Sequence, residues 1–158
     1  MQLFVETMNE KLAKEILCWK YNEPYDFYNN DLTDEAMKEM LDGTYYALTN
    51  DVNETFGFFC IGESAKVPIG EQFSVYTEDF VDMGIGMNPK YVGKGNGVKF
   101  CSLILQFIEE RYSNIPIRLT VANFNERAIY LYEKLGFVKK QEFSTGVVKF
   151  TTMVKSNN

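Results

Sequence analysis

Between Asn9 and Trp19 the apolar residues fall at 12, 13, 16, 17 and 19, the spacing of a helix that buries one face. Asn96 to Tyr112 repeats that pattern over a longer stretch, with apolar positions at 100, 101, 103, 104, 105, 107 and 108. Thr33 followed by Asp34, Glu35 and Ala36 is an N-cap with acids in the first turn and predicts a short helix to about Leu41, stopped by Gly43. A fourth helix is expected from Asn125 to Leu135, with Gly136 just past its end. Strands are expected where β-branched and aromatic residues cluster: Phe4–Val5, Thr44–Leu48, Thr55–Ile61, Phe80–Met87, Ile117–Ala122, Phe137–Phe143 and Val147–Val154. Asn50-Asp51 and Ser144-Thr145-Gly146 supply the turns of two hairpins, while 20–29 and 62–78 read as irregular excursions broken by proline and glycine.

The resulting order is β-α-α-β-β-β-α-β-α-β-β. Three successive strands imply an antiparallel meander, and a helix between strands 80–87 and 117–122 implies a parallel crossover. The class is α+β with a mixed sheet, in one domain spanning residues 1–158.

Composition narrows the chemistry. The chain has no histidine, which excludes Ser-His-Asp and Cys-His catalysis and every His-ligated metal site. Cys18, Cys60 and Cys101 are far apart and sit among apolar neighbours, as expected of reduced buried thiols in a cytoplasmic protein; no CxxC pair supports a metal. No apolar run reaches the roughly 18 residues of a membrane helix, and the N-terminal residues have no basic, apolar leader pattern. The net charge of −6 argues against a nucleic-acid partner. It is unevenly placed: residues 1–80 hold 16 acids and 5 bases, residues 81–158 hold 6 acids and 11 bases. Such a chain can present an anionic ligand to one half and a cationic one to the other.

The chemistry-bearing segment joins a strand to the longest helix: Tyr91-Val92-Gly93-Lys94-Gly95-Asn96-Gly97. Alternate glycines let backbone approach a ligand closely, and the helix that follows presents free N–H groups and a positive dipole end. Lys90, Lys94 and Lys99 lie within 88–100 without an acid, so an anion such as a pyrophosphate is favoured. A Walker A loop would end in GK[ST], whereas this one ends Asn-Gly-Val. A dinucleotide fingerprint would read GxGxxG, and here the spacing is GxGxG with no acid ending the next strand. A purely structural turn stays open on this segment alone.

A second segment lies downstream: Asn125-Glu-Arg-Ala128-Ile-Tyr-Leu131-Tyr132-Glu-Lys-Leu-Gly136-Phe137. Together the two resemble the GNAT superfamily of acyl-CoA N-acyltransferases. Val92 to Gly97 occupy the family's (Q/R)xxGx(G/A) motif, with Val92 in place of the usual Gln or Arg, so a side-chain contact from that position is not carried over. Asn125, Ala128, Leu131, Tyr132, Gly136 and Phe137 match Nxx(A)xxLYxxxGF. The resemblance covers 80–137, and residues 1–79 share only the element order.

The resemblance implies a mostly antiparallel central sheet of about seven strands flanked by four helices, splayed between the strands at 80–87 and 117–122. It implies acetyl-CoA as cosubstrate, its pyrophosphate held by backbone N–H groups of Gly93, Lys94, Gly95, Asn96, Gly97 and Val98. The acyl arm would run along Ile85, Gly86 and Met87, with a backbone N–H near Met87 polarising the thioester carbonyl. Glycines 84 and 86 inside a strand also suggest a bulge there. Asn125 would bond the pantetheine arm as well as capping its helix, and Tyr132 would protonate the departing thiolate. Asp82, and after it Glu63, are the candidates for a general base. Around the acceptor site, Glu23, Tyr25 and Asp26 combine carboxylates with aromatic surface and suit a cationic amine, small or peptidic. The family is often dimeric. The competing reading is an acyl-CoA-binding sensor or interaction module without catalysis; a nucleotide-binding protein and a longer-chain acyl-CoA enzyme are further alternatives.

Overall fold

The structure is a computed structural model describing residues 1–156. Its elements run β1 (Leu3–Thr7), α1 (Glu10–Leu17), α2 (Asp34–Met40), β2 (Tyr45–Asn50), β3 (Thr55–Ile61), β4 (Val81–Met87), α3 (Gly97–Arg111), β5 (Ile117–Ala122), α4 (Glu126–Lys134), β6 (Val138–Ser144) and β7 (Lys149–Lys155). The expected element order is reproduced, and most ends shift by one or two residues. The two excursions contain short 3₁₀ turns at Tyr25–Tyr28, Glu63–Ala65 and Pro68–Phe73.

Local chemistry accounts for the helix starts. Asn9 Oδ1 accepts the Leu12 N–H at 2.9 Å, and Thr33 Oγ1 accepts that of Ala36 at 3.1 Å. Asn125 Oδ1 accepts the Ala128 N–H at 3.2 Å, so this residue is an N-cap as its position suggests. Gly136 takes φ +100 beyond α4, where a side chain would be strained.

The strands form one sheet in the order β1-β2-β3-β4-β5-β7-β6. β1 with β2, β2 with β3, β5 with β7 and β6 with β7 are antiparallel; β4 and β5 are parallel. The α+β, mostly antiparallel expectation therefore holds, with the parallel crossover through α3. The parallel ladder pairs Val81 with Ile117, Asp82 with Arg118 and Met83 with Leu119, although β4 itself continues to Met87. Among the described residues, no helix is long and apolar enough to cross a membrane.

The described residues divide into two compact units, one of residues 1–60 and 85–97, the other of 61–84 and 98–156. In the first, Ala13, Ile16 and Leu17 of α1 and Ala47, Leu48, Phe56 and Phe59 of the hairpin are buried. In the second, Phe100, Ile104 and Ile108 of α3, Ile117 and Leu119 of β5 and Met153 of β7 are buried. One thiol departs from expectation: Cys60 and Cys101 are buried, but Cys18 is exposed, because it falls at the C-cap of α1 rather than on its apolar face.

The second unit also buries a charge. Arg118, 1% exposed, makes five hydrogen bonds. Its Nε and Nη2 donate to the two carboxylate oxygens of Asp82 at 2.7 and 2.8 Å. Nη1 reaches the Val75 carbonyl and Glu78 Oε1, each at 3.3 Å, and Nη2 the Glu78 carbonyl at 3.3 Å. The rings of Tyr76 and Phe80 flank the guanidinium at 5.1 and 5.3 Å, and Lys140 pairs with the outer oxygen of Glu78. Burial opposes the charge on Arg118, but the hydrogen bonds and charge of Asp82, then Glu78, hold its pKa above the usual value. Because a buried charge stripped of its partner is far costlier than the pair, Asp82→Asn should destabilise the protein by about 3–5 kcal/mol in denaturant titration; an unchanged midpoint would show that the pair contributes little.

Candidate active site

The first unit contains the end of β4 and the glycine loop. Gly93 and Gly95 both adopt the left-handed region, φ +75 and +79, so each turn of the loop depends on a missing side chain. A Cβ at Gly95 would meet nothing within 4 Å, so the backbone there is bare on its open side. Residues 93–95 are exposed and Asn96 and Gly97 half-buried. The loop runs straight into α3, whose first turn carries no acid. An exposed glycine loop, a helix start and local lysines fit an anionic pyrophosphate, as the sequence implies. Val98, the first residue of the second unit after the loop, is 43% exposed.

The approach to this loop is tied to the β2–β3 hairpin. Glu54 Oε2 accepts a hydrogen bond from Lys90 Nζ at 2.6 Å, and its Oε1 one from Tyr91 Oη at 2.9 Å. Asn50 Nδ2 donates to both Glu54 Oε1 and Tyr91 Oη at 3.3 Å, and the Tyr91 ring stacks on Phe56 with centroids 4.6 Å apart. Hydrogen bonds from Lys90, Tyr91 and Asn50 depress the Glu54 carboxyl to about 2. Its folded pKa lies below the ordinary 4.5, so this contribution is full above pH 4.5 and disappears as pH falls toward 2.

β4 keeps one register against β3. Near its start the Asp82 carbonyl accepts the Gly62 N–H at 2.9 Å; at its end the Asn88 N–H donates to the Phe56 carbonyl at 2.9 Å. The two bonds are separated by six residues on each strand, so no extra residue is inserted. The bulge expected from Gly84 and Gly86 is absent. That register sets Gly86 opposite Phe58, and a Cβ on Gly86 would lie 2.2 Å from Phe58 Cε1. Gly86 is thus required by an aromatic ring lying across the strand, not by a kink. Phe58 in turn packs near Trp19 and Tyr45, at centroid distances of 6.3 and 6.2 Å. Tyr45 Oη donates to Glu39 Oε1 at 3.1 Å, and burial, followed by the charges of Cys60 and Glu39, raises its pKa.

The remaining candidates are distributed as follows. In the first unit Glu23 and Asp26 are exposed and Tyr25 is half-buried, all in the 20–30 excursion; Ile85 and Met87 are half-buried on β4. In the second unit lie Asp82, Glu63, Asn125 and Tyr132. Asp82 is 3% exposed with both oxygens on Arg118, an arrangement that suits a structural ion pair better than a base. Glu63 is exposed and bonds Lys66 Nζ at 2.8 Å. Tyr132 is 7% exposed on α4, its ring edge-on to Phe137 at 5.9 Å. Burial pushes the Cys101 thiol up to about 12, which keeps it from acting as a nucleophile near neutral pH.

Sequence reading missed three features: the Arg118 cluster, the Glu54–Lys90–Tyr91 tie and the hydroxyl of Tyr21, which donates to the Met87 carbonyl at 2.6 Å. A charge in the middle of Ile117-Arg118-Leu119 facing another in Val81-Asp82-Met83 was the available signal for the first.

The family model for the acetyltransferase (GNAT) domain matches residues 3–138. The chain belongs to the GNAT family of acyl-CoA-dependent N-acetyltransferases. No curated protein sequence matches it. Among solved structures, this GNAT domain is similar to a spermidine N-acetyltransferase from Vibrio cholerae in complex with CoA and spermine, at 19% identity and TM-score 0.73, covering 98% of this chain and 95% of that one. It is also similar to a GNAT-family acetyltransferase from Bacillus anthracis, at 14% identity and TM-score 0.73, covering 99% and 95%. A chimera of the Vibrio cholerae spermidine enzyme and hSSAT gives 19% identity and TM-score 0.70, covering 99% and 96%. At these identities the likeness is one of fold.

Gly86→Ala should destabilise this GNAT domain by about 1–3 kcal/mol, as expected of overpacking. Adding Phe58→Leu should recover much of the loss, because the two residues occupy the same space. Strictly additive effects in the double variant would contradict the cross-strand explanation.

Proposed function

We propose that the protein transfers an acetyl group from acetyl-CoA to a primary amine by direct attack. The observation that carries this reading is the Gly93–Gly97 turn: two left-handed glycines in an exposed loop lead directly into the start of α3. Gly93 to Val98 hold the pyrophosphate, and Ile85 to Met87 take the acyl arm along their backbone. Asn125 adds a contact to that arm while its oxygen caps α4.

The amine nitrogen attacks the acetyl carbonyl, a C–N bond forms, and the C–S bond breaks. Tyr132 supplies a proton to the leaving thiolate, and the proton lost by the amine passes to solvent or to a carboxylate. Glu63 is the more accessible of the two carboxylates considered, since Asp82 is occupied by Arg118. No cysteine is assigned a covalent role.

The acceptor is a small cationic amine or a peptide amine. Glu23, Tyr25 and Asp26 support this, and so does the Trp19, Tyr45 and Phe58 group with Glu39 bonded to Tyr45. Structural neighbours that acetylate spermidine put polyamines first among compounds to try. We assign the whole chain to a single catalytic domain working in the cytoplasm, acting on small molecules or peptides rather than on nucleic acid or membrane, and a homodimer is the assembly to test.

The deciding assay is acceptor-dependent release of free CoA thiol from acetyl-CoA across polyamines, amino acids and N-terminal peptides. Release with one acceptor class, with kcat reduced roughly 100-fold or more in Tyr132→Phe, is the expected result. Tight acetyl-CoA binding with no release for any amine would favour a sensor instead.

A further inference from the structure

The two edges of β4 present different atoms. In a strand, one residue's N–H and C=O share an edge, and the next residue's share the opposite one. Asp82 and Asn88 direct their bonds to the β3 side, so Gly84 and Gly86 do the same. Val81, whose N–H donates to the Pro116 carbonyl at 3.0 Å, sets the opposite phase. Ile85 and Met87 therefore present their N–H and C=O on the edge that faces away from β3.

On this edge the Met87 carbonyl is occupied by the hydroxyl of Tyr21 at 2.6 Å. The neighbouring loop holds Tyr21 in place: its own N–H donates to Asn29 Oδ1 at 2.7 Å. The peptide joining Met87 to Asn88 is thereby fixed from both sides, its N–H by Phe56 and its C=O by Tyr21. The Asn88 side chain is fixed too, donating to the Thr55 carbonyl at 2.9 Å and accepting the Lys90 N–H at 3.0 Å.

A thioester carbonyl that gathers negative charge at the Met87 N–H would also feel the negative end of the Met87 C=O dipole beside it. A hydroxyl donating to that carbonyl offsets this repulsion. We propose that Tyr21 is a positioning residue of the acyl site, capping the Met87 carbonyl so that Met87 offers the thioester oxygen a donor only. This rests on the acyl-CoA reading of β4 above, and it extends that reading to a residue outside both family motifs.

The hydroxyl is suited to remain a donor. Burial raises the Tyr21 pKa from 10.0 to about 12. A raised folded pKa means that the contact is fully present below pH 10 and is lost only as pH climbs toward 12.

The test compares the full chain with Tyr21→Phe and with p-aminophenylalanine at position 21, which restores an N–H donor in nearly the same place. Carbonyl-labelled [1-¹³C]acetyl-CoA is bound to each, and its C=O stretch is read by difference infrared spectroscopy. The expected result is a shift to lower frequency in the wild type that is diminished in Tyr21→Phe and recovered with p-aminophenylalanine, at dissociation constants within about threefold. With an accepted amine, kcat of Tyr21→Phe should fall about tenfold, equivalent to about 1.4 kcal/mol, while the acetyl-CoA KM stays within about twofold. An identical stretch and kcat in wild type and Tyr21→Phe would overturn the proposal while leaving the acyl-CoA reading intact. Failure of the wild type to bind acetyl-CoA would overturn both.

Discussion

β4 bonds to β3 near its start and just past its end, and its ladder with β5 is short. Against β3 it holds one register from Asp82 to Asn88, and against β5 its parallel ladder covers Val81 to Met83. The bidentate bond between Asp82 and Arg118 sits within that short ladder and joins the two strands by side chains as well as backbone. Such a pair tolerates little displacement, because any shift leaves a buried guanidinium without its counter-charge. The remaining residues of β4 then present an alternating row of backbone donors and acceptors, which is a natural surface for an extended ligand with amides of its own.

At the end of that row, four interactions converge within a few residues. Phe58 lies over Gly86, Tyr21 bonds the Met87 carbonyl, Phe56 takes the Asn88 N–H, and Glu54 holds Lys90 and Tyr91. The bonds from Tyr21 and to Phe56 fix backbone directly, and Glu54 holds the side chains of the two residues that follow. Rigid backbone at this point matters because the loop that follows carries two glycines in the left-handed region and has little conformational restraint of its own. For a donor held by main-chain N–H groups, as proposed, accurate placement of peptide planes is a direct route to function.

Local patterns were the legible part of the sequence. Helical periodicity, N-caps at Asn9, Thr33 and Asn125, and the glycine after α4 all depend on neighbours within one turn, and all are seen. The family motifs were legible for a similar reason, since each is a short contiguous run. What escaped were partners far apart in the chain. A lone charge within each apolar strand is the one local trace of the pairing of Asp82 with Arg118, 36 positions away, and nothing near Tyr21 announces Met87, 66 positions away. Gly86 misled in a particular way: a glycine in a strand fits a bulge or a close neighbour equally well, and only the register against β3 distinguishes them. Cys18 was placed in the core by its apolar neighbours, though it lies at the C-cap of α1.

The central claim is that acyl-CoA is held by backbone at the end of β4 and in the loop that follows. Amide hydrogen exchange, measured with and without acetyl-CoA, tests it at the level of those amides. The account predicts slowed exchange concentrated in peptides covering 85–98, with little change in the β6–β7 hairpin. Protection elsewhere with 85–98 unaltered, in a protein demonstrably bound to acetyl-CoA, would contradict it.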